Sequence, residues 1–228
     1  GMTSPTPLLS NLTRGGLHEI KPEAYGDQPA ALAFALAVIA EQKAAQAERR
    51  NLVLWCLTKH AAREWGRPYG PGLIASGLDP SLFLIVMARN SDDAAWALEE
   101  GLKSRALIAA LAGIEIKTQL VARRLGLAAQ ATHTPCLLLS DHGHANLPGT
   151  VTTWRIAARR SGTMSFDAMA PGAPSWHLTL ERCRGEAPGR SFIVEFSHES
   201  FRFNLSAASS DRAAEAGESS ARRRASSG

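Results

Sequence analysis

The chain has 228 residues, 45% of them hydrophobic and 20% charged, a makeup that suits a globular protein able to bury one substantial core. Its formal charge of +4 permits contact with nucleic acid or an acidic partner without demanding either. The longest apolar stretch, residues 30–40, falls well short of the ~20 residues of a membrane span. No charged-then-apolar leader precedes it, so the expected setting is the cytoplasm, with no membrane contact.

In chain order, Gly1 reads as a tag scar and residues 1–14 as an N-terminal segment. Residues 17–20 read as a short first strand. A helix over 29–49 follows, with Pro29 suited to its first turn. Its first half is apolar nearly all round and should be buried; its second half is polar and should emerge. Residues 52–57 and 82–87 are continuous apolar runs without alternation, the pattern of central parallel strands covered on both faces. Between them a turn-rich stretch from Arg67 to Gly72 leads into a short helical piece ending at Gly77.

Ser91 is placed to cap the next helix, with Asp92 and Asp93 at the positive end of its dipole, and that helix reaches about Lys103. Apolar runs at 106–111 and 136–139 bracket a further helix over 117–131. After Pro148 the pattern changes. Residues 151–157, 176–183 and 191–196 are richer in β-branched and aromatic residues, and Gly185, Pro188 and Gly189 mark a hairpin between the last two. The expected fold is α/β: a mainly parallel sheet flanked by helices, with an antiparallel C-terminal edge. It forms one domain over 15–205, and the Ser-, Ala-, Gly- and charge-rich tail 206–228 is expected to be disordered. Cys56, Cys136 and Cys183 form no C-x-x-C pair, and the first two lie in apolar runs, where a thiol acts as a small hydrophobe.

The junction between the first strand and the first long helix is where a phosphate-binding loop would lie. Such a loop needs glycines so that backbone N–H groups can wrap the phosphates, a lysine for their charge, and a hydroxyl for magnesium. Here Lys21, Pro22, Glu23, Ala24, Tyr25, Gly26, Asp27 and Gln28 occupy the junction. Gly26 matches the second glycine, but Lys21 stands at the first, Asp27 at the lysine and Gln28 at the hydroxyl. A carboxylate at 27 repels a polyphosphate, and Pro29 removes an N–H.

These residues carry a resemblance. Pro22, Glu23 and Gly26, with Gly15, Gly16, Leu17, Glu19 and Ile20 before them, resemble the phosphate loop of the RecA recombinase and its lead-in. Thr58, Lys59, His60 and Ala61 sit where that family carries its water-activating glutamate, with Lys59 in its place. Residues 106–112 resemble the Walker B strand but hold no acid. The resemblance covers residues 15–205 and implies a RecA-like P-loop NTPase core with a degenerate nucleotide site.

Further blocks are similar to one bacterial family, the inducible-mutagenesis protein A (ImuA) family. They are residues 16–20, 24–27, 69–73, 77–80, 95–100 and 122–125. Membership would imply a non-catalytic accessory of DNA-damage-induced (SOS) mutagenesis and translesion synthesis, not an enzyme and without a cofactor. Its implied partners are an inactive Y-family-like polymerase subunit and an error-prone replicative-type polymerase, with RecA or single-stranded DNA as further contacts. Two other readings stay open: an atypical ATP-binding RecA-like ATPase, and a SulA-like regulator of cell division or a DNA-binding regulator.

Two other groups are candidates for chemistry. Asp141, His142 and His144 follow the run at 136–139, where an H-x-H pair beside a carboxylate suggests metal, against the plainer reading of a polar loop. Arg155, Arg159, Arg160, Arg182, Arg184 and Arg190 suggest a phosphate-contacting face on the antiparallel edge, against charges that merely guard a sheet edge.

Overall fold

A computed structural model describes residues 11–45, 52–159, 173–185 and 189–209. Among these, nine strands form one sheet in the order β3-β2-β4-β5-β1-β6-β7-β8-β9. The strands are β1 (Gly16–Pro22), β2 (Leu52–Thr58), β3 (Phe83–Ala88), β4 (Leu107–Gly113), β5 (Pro135–Leu139), β6 (Thr152–Arg159), β7 (Ser175–Cys183), β8 (Arg190–Ser197) and β9 (Arg202–Ser209). From β3 across to β6 every neighbouring pair is parallel; from β6 to β9 every pair is antiparallel. The mixed α/β architecture with an antiparallel end is the one expected from the pattern.

The helices are α1 (Gln28–Ala45), α2 (Lys59–Glu64), α3 (Gly70–Ala75), α4 (Ser91–Lys103) and α5 (Gln119–Ala131). Alternate strand residues feed two cores. On one face Val53, Trp55, Leu57, Ala109, Leu111, Leu137 and Leu139 pack with α1. On the other Leu54, Cys56, Ala110, Ala112, Cys136 and Leu138 pack with α4 and α5. This is why the central runs show no alternation: both faces are dry. α1 serves the antiparallel strands too, since Phe34 meets Trp176 and Phe203 at ring-centroid distances of 5.7 and 5.5 Å.

Several expectations change. The run at 82–87 is not central but an edge strand, paired among the described residues only with β2, and Leu84, Ile85 and Met87 are 53%, 43% and 45% exposed. An apolar run reports low polarity and cannot say which neighbours cover it. α1 does not emerge at mid-length: Glu41 and Gln42 are still buried, and Glu41 accepts the Phe203 N–H at 3.3 Å while burial pushes its pKa up. Asn90, not Ser91, caps α4, its side chain accepting the Asp93 N–H at 2.8 Å. Strand β9 was not anticipated, and it carries the sheet to Ser209, into the stretch assigned to the tail. Residues 210–228 and Arg160 lie outside the described residues.

The three cysteines are buried and form no disulfide, and burial raises Cys56 to about 12 and Cys136 further, so these two are inert core groups. After α3 the chain turns through Gly77 at φ +78°, where a Cβ would stand 1.9 Å from the Phe201 ring. No described helix is long and apolar enough to cross a membrane.

Candidate functional site

Helices follow β1 on one face and β3 and β4 on the other, so the connections diverge at the carboxyl ends of the central strands, the place where open α/β sheets form their crevice. A cleft of about 940 Å³ opens there, lined from the ends of β2, β4 and β5. Lys59, Arg63, Arg89 and Lys117 face it, as do Glu64, Glu115 and Asp141. Lys59 is exposed at the first position of α2, whose cap is the Thr58 hydroxyl accepting the Ala61 N–H at 3.1 Å. β4 carries no acid, as its sequence indicates, but Glu115 lies just beyond its end on the cleft wall.

Next to this cleft, the β1–α1 junction is turned in on itself. Asp27 ends a 3-10 turn over Tyr25–Asp27, and its carboxylate accepts the Ala24 N–H at 3.2 Å and the Ala158 N–H at 2.9 Å. An acid at the phosphate-loop lysine position thus takes up two main-chain N–H groups, one in the loop and one on β6. Gln28 is buried at the start of α1. No atom lies within 4 Å of a Cβ built on Gly26, so that glycine answers to no close packing in the protein itself.

Lys21 has the largest departure from a phosphate loop. Its side chain is fully buried. Nζ donates to the His144 carbonyl and to Asn146 Oδ1, both at 2.6 Å, and lies 3.9 Å from Glu19 Oε1. Glu19 Oε2 in turn accepts the Leu147 N–H at 2.9 Å and the Thr153 hydroxyl at 3.3 Å. Burial pulls the Lys21 pKa below the usual lysine value, and the carboxylates of Glu19 and Glu181 pull it back. The pair fastens the β5–β6 loop over the end of β1.

The same loop holds the proposed metal ligands. His142 and His144 engage their neighbours through main-chain carbonyls: His142 O accepts from Arg155 Nη1 at 3.2 Å, and His144 O from Lys21. Tyr25 lies edge-on to the His142 ring at 6.4 Å. Among the described residues no group of three His, Cys, Asp or Glu side chains is gathered tightly enough to hold a metal ion.

Beneath the junction, His18 of β1 is fully buried. Its Nε2–H donates to the Arg14 carbonyl at 2.9 Å and its Nδ1 accepts from the Thr152 hydroxyl at 2.9 Å, which in turn accepts the Trp154 indole N–H at 2.9 Å. Burial lowers its pKa to about 4, which keeps the ring neutral near pH 7 and gives its two nitrogens these donor and acceptor roles. Neither His18 nor the Lys21–Glu19 pair was singled out as a built feature from sequence. The signal available was three ionisable residues, at positions 18, 19 and 21, within one short strand.

The arginines are spread rather than gathered. Arg155 is half-buried and paired with Glu181, Arg159 is exposed at the end of β6 opposite Ser175, and Arg182 lies opposite Thr153 at the other end of the same pairing. The guanidinium of Arg190 sits 5.3 Å from the centre of the Phe192 ring, and Arg184 is exposed in the β7–β8 turn. From Arg159 to Arg182 the ladder runs about 20 Å at the strand rise.

The site is therefore that of an α/β sheet protein with an open polar cleft and a sealed β1–α1 junction. No family model matches the chain. It is 27% identical over 247 residues to Protein ImuA of Caulobacter vibrioides, strain NA1000 / CB15N, covering 95% of this chain and 97% of that protein. Protein ImuA of strain ATCC 19089 of the same species matches to the same extent. The chain is thus ImuA-like along nearly its whole length, in keeping with the resemblance carried by its sequence blocks. SulA from Pseudomonas aeruginosa aligns over 55% of this chain and 97% of its own, at 19% identity and a TM-score of 0.40, too distant to bear on the fold.

Proposed function

We propose that the chain is a non-catalytic, RecA-like accessory of DNA-damage-induced mutagenesis, working in the cytoplasm through protein partners rather than through ATP. The supporting observation is the β1–α1 junction. Where a P-loop ATPase presents empty N–H groups and a free lysine, Asp27 occupies the Ala24 and Ala158 N–H groups, and the junction's own Lys21 is spent on the β5–β6 loop. Lys59 at the water-activating position and the acid-free β4 agree with this reading. The similarity to ImuA along 95% of the chain supports the pathway.

On this reading the partners are an inactive Y-family-like polymerase subunit and an error-prone replicative-type polymerase, with RecA or single-stranded DNA as further contacts. Affinity capture of the tagged chain from DNA-damaged cells tests it. Recovery of a polymerase-like subunit is the expected result, and its absence at repeated captures counts against the mutasome role. A second reading, nucleotide binding at an atypical site, draws on the open cleft with Lys59, Arg63, Arg89 and Lys117 on its walls. Those cations are matched there by Glu64, Glu115 and Asp141, which makes the cleft a poorer host for a polyphosphate.

A further inference from the structure

On the face of the sheet that carries α1, a cavity of about 330 Å³ opens between α1, the end of α2 and α3. It shares only Glu64 and Trp65 with the polar cleft at the strand ends. Its floor is apolar, made by Leu32, Leu36, Trp55, Trp65 and Leu73. Two polar groups interrupt that wall. Gln28 lines the cavity and is only 8% exposed, and its side-chain amide has no hydrogen-bond partner among the described residues. The indole Nε1 of Trp55 is, among the described residues, the one buried side-chain nitrogen or oxygen left without a partner. Native folds pair nearly all such groups, so two of them on one cavity point to hydrogen bonds supplied from outside the fold.

The chemistry of these groups sets that of the occupant. A primary amide holds a donor and an acceptor side by side, the complement of the C=O and N–H of a main-chain peptide group, and the indole adds a second donor. The apolar floor calls for a large apolar side chain next to that peptide group. Glu64 and Arg67 on the wall balance each other, so the cavity selects for no net charge. Its volume is at the small end of ligand cavities, enough for one large side chain and the peptide groups beside it. Tyr69, on the same wall and 69% exposed, offers a ring to whatever arrives.

We infer that this cavity is the anchor pocket for a peptide segment of a partner protein, seating one large apolar side chain while Gln28 bonds the main chain beside it. Interfaces concentrate their energy at anchors of this kind. The inference deepens the reading of the chain as one that works through protein partners, and rests on it.

Nuclear magnetic resonance titration of the full chain with N-acetyl-phenylalanine amide, a minimal mimic of such a segment, tests this. The Trp55 and Trp65 indole signals and the Gln28 amide signals should shift saturably in the millimolar range. N-acetyl-glycine amide lacks the ring, and benzamide has ring and amide without the peptide spacing; each should bind about tenfold more weakly or worse. Gln28→Met keeps the bulk, removes the amide and should weaken the mimic by about tenfold. Ala33→Trp, at an exposed position on the cavity wall, should abolish binding with an unchanged circular dichroism spectrum, and Leu120→Ser on α5 should leave it intact. No saturable shift in the wild type, benzamide bound as tightly as the peptide mimic, or full binding by Gln28→Met or Ala33→Trp would overturn the inference. So would self-association in sedimentation that Ala33→Trp removes, since a second copy would then be the occupant. The titration uses no protein of the mutagenesis pathway, so its failure and that of the capture from damaged cells are separate results.

Discussion

The β1–α1 junction and the cleft beside it lie at the same end of the same sheet but are built on opposite principles. At the junction three ionic groups bond inward while Glu23 stays exposed: Lys21 and Glu19 are buried and bonded to the β5–β6 loop, and Asp27 holds main-chain N–H groups of residues 24 and 158. In the cleft, Lys59, His60 and Arg63 stand in solvent. A buried ion pair is costly to leave half made, whereas a solvated charge can be changed with little effect. The lesson is that the residues of this junction form a built structure, bonded to their own chain. Substitutions should therefore be expensive at the junction and cheap in the cleft.

The sharpest test of that contrast is Lys21→Ala. It leaves Glu19 buried without its cation and removes the donor to His144 and Asn146, so unfolding free energy should fall by about 3–5 kcal/mol. The double change Glu19→Gln, Lys21→Met should recover part of the loss. Chemical denaturation checks both, and a Lys21→Ala loss no larger than a surface change would break the comparison.

The next largest effect is in pH. The folded-state pKa of His18 is lowered from 6.5 to about 4, so its contribution is present in full above about pH 6.5 and is lost as pH falls toward 4. The full span is on the order of 3 kcal/mol. Melting temperature should fall across that window in the wild type, and His18→Gln should flatten the dependence while lowering stability at neutral pH.

Asp27→Ala removes two hydrogen bonds at a partly exposed site and should cost about 1–2 kcal/mol by denaturant midpoint. Asp27→Lys, which restores the phosphate-loop lysine, should cost at least as much and create no ATP hydrolysis. Lys59→Glu in the cleft, restoring an acid at the water-activating position, should change stability by no more than about 0.5 kcal/mol and likewise produce no turnover.

Much of this molecule can be read from its residues. The unalternating runs of β2, β4 and β5 announce strands dry on both faces, and the Gly- and Pro-marked turn at 184–190 announces the β7–β8 hairpin. The mismatch of Asp27 and Gln28 with the lysine and hydroxyl of a phosphate loop is equally plain. What could not be read depends on partners distant in sequence. Leu84, Ile85 and Met87 are as apolar as a central strand, yet only strand order tells that β3 is at the edge. The Ser- and Ala-rich second half of β9, residues 206–209, reads as tail, because its pairing with β8 lies in main-chain bonds. Lys21 reads as a misplaced glycine. Only the fold brings His144 and Asn146 over it and turns that loss into a fastening.

The central claim is that the junction binds its own chain in place of a nucleotide. Thermal shift of the full chain with ATP·Mg²⁺, backed by calorimetric titration, measures this directly. A ligand at a hundred times its Kd stabilises by roughly 2.7 kcal/mol, a shift of several degrees. The account predicts a flat response at millimolar ATP, for the wild type and for Asp27→Lys alike. A saturable rise in melting temperature with ATP·Mg²⁺, abolished by substitution at residues 21–28, would contradict it.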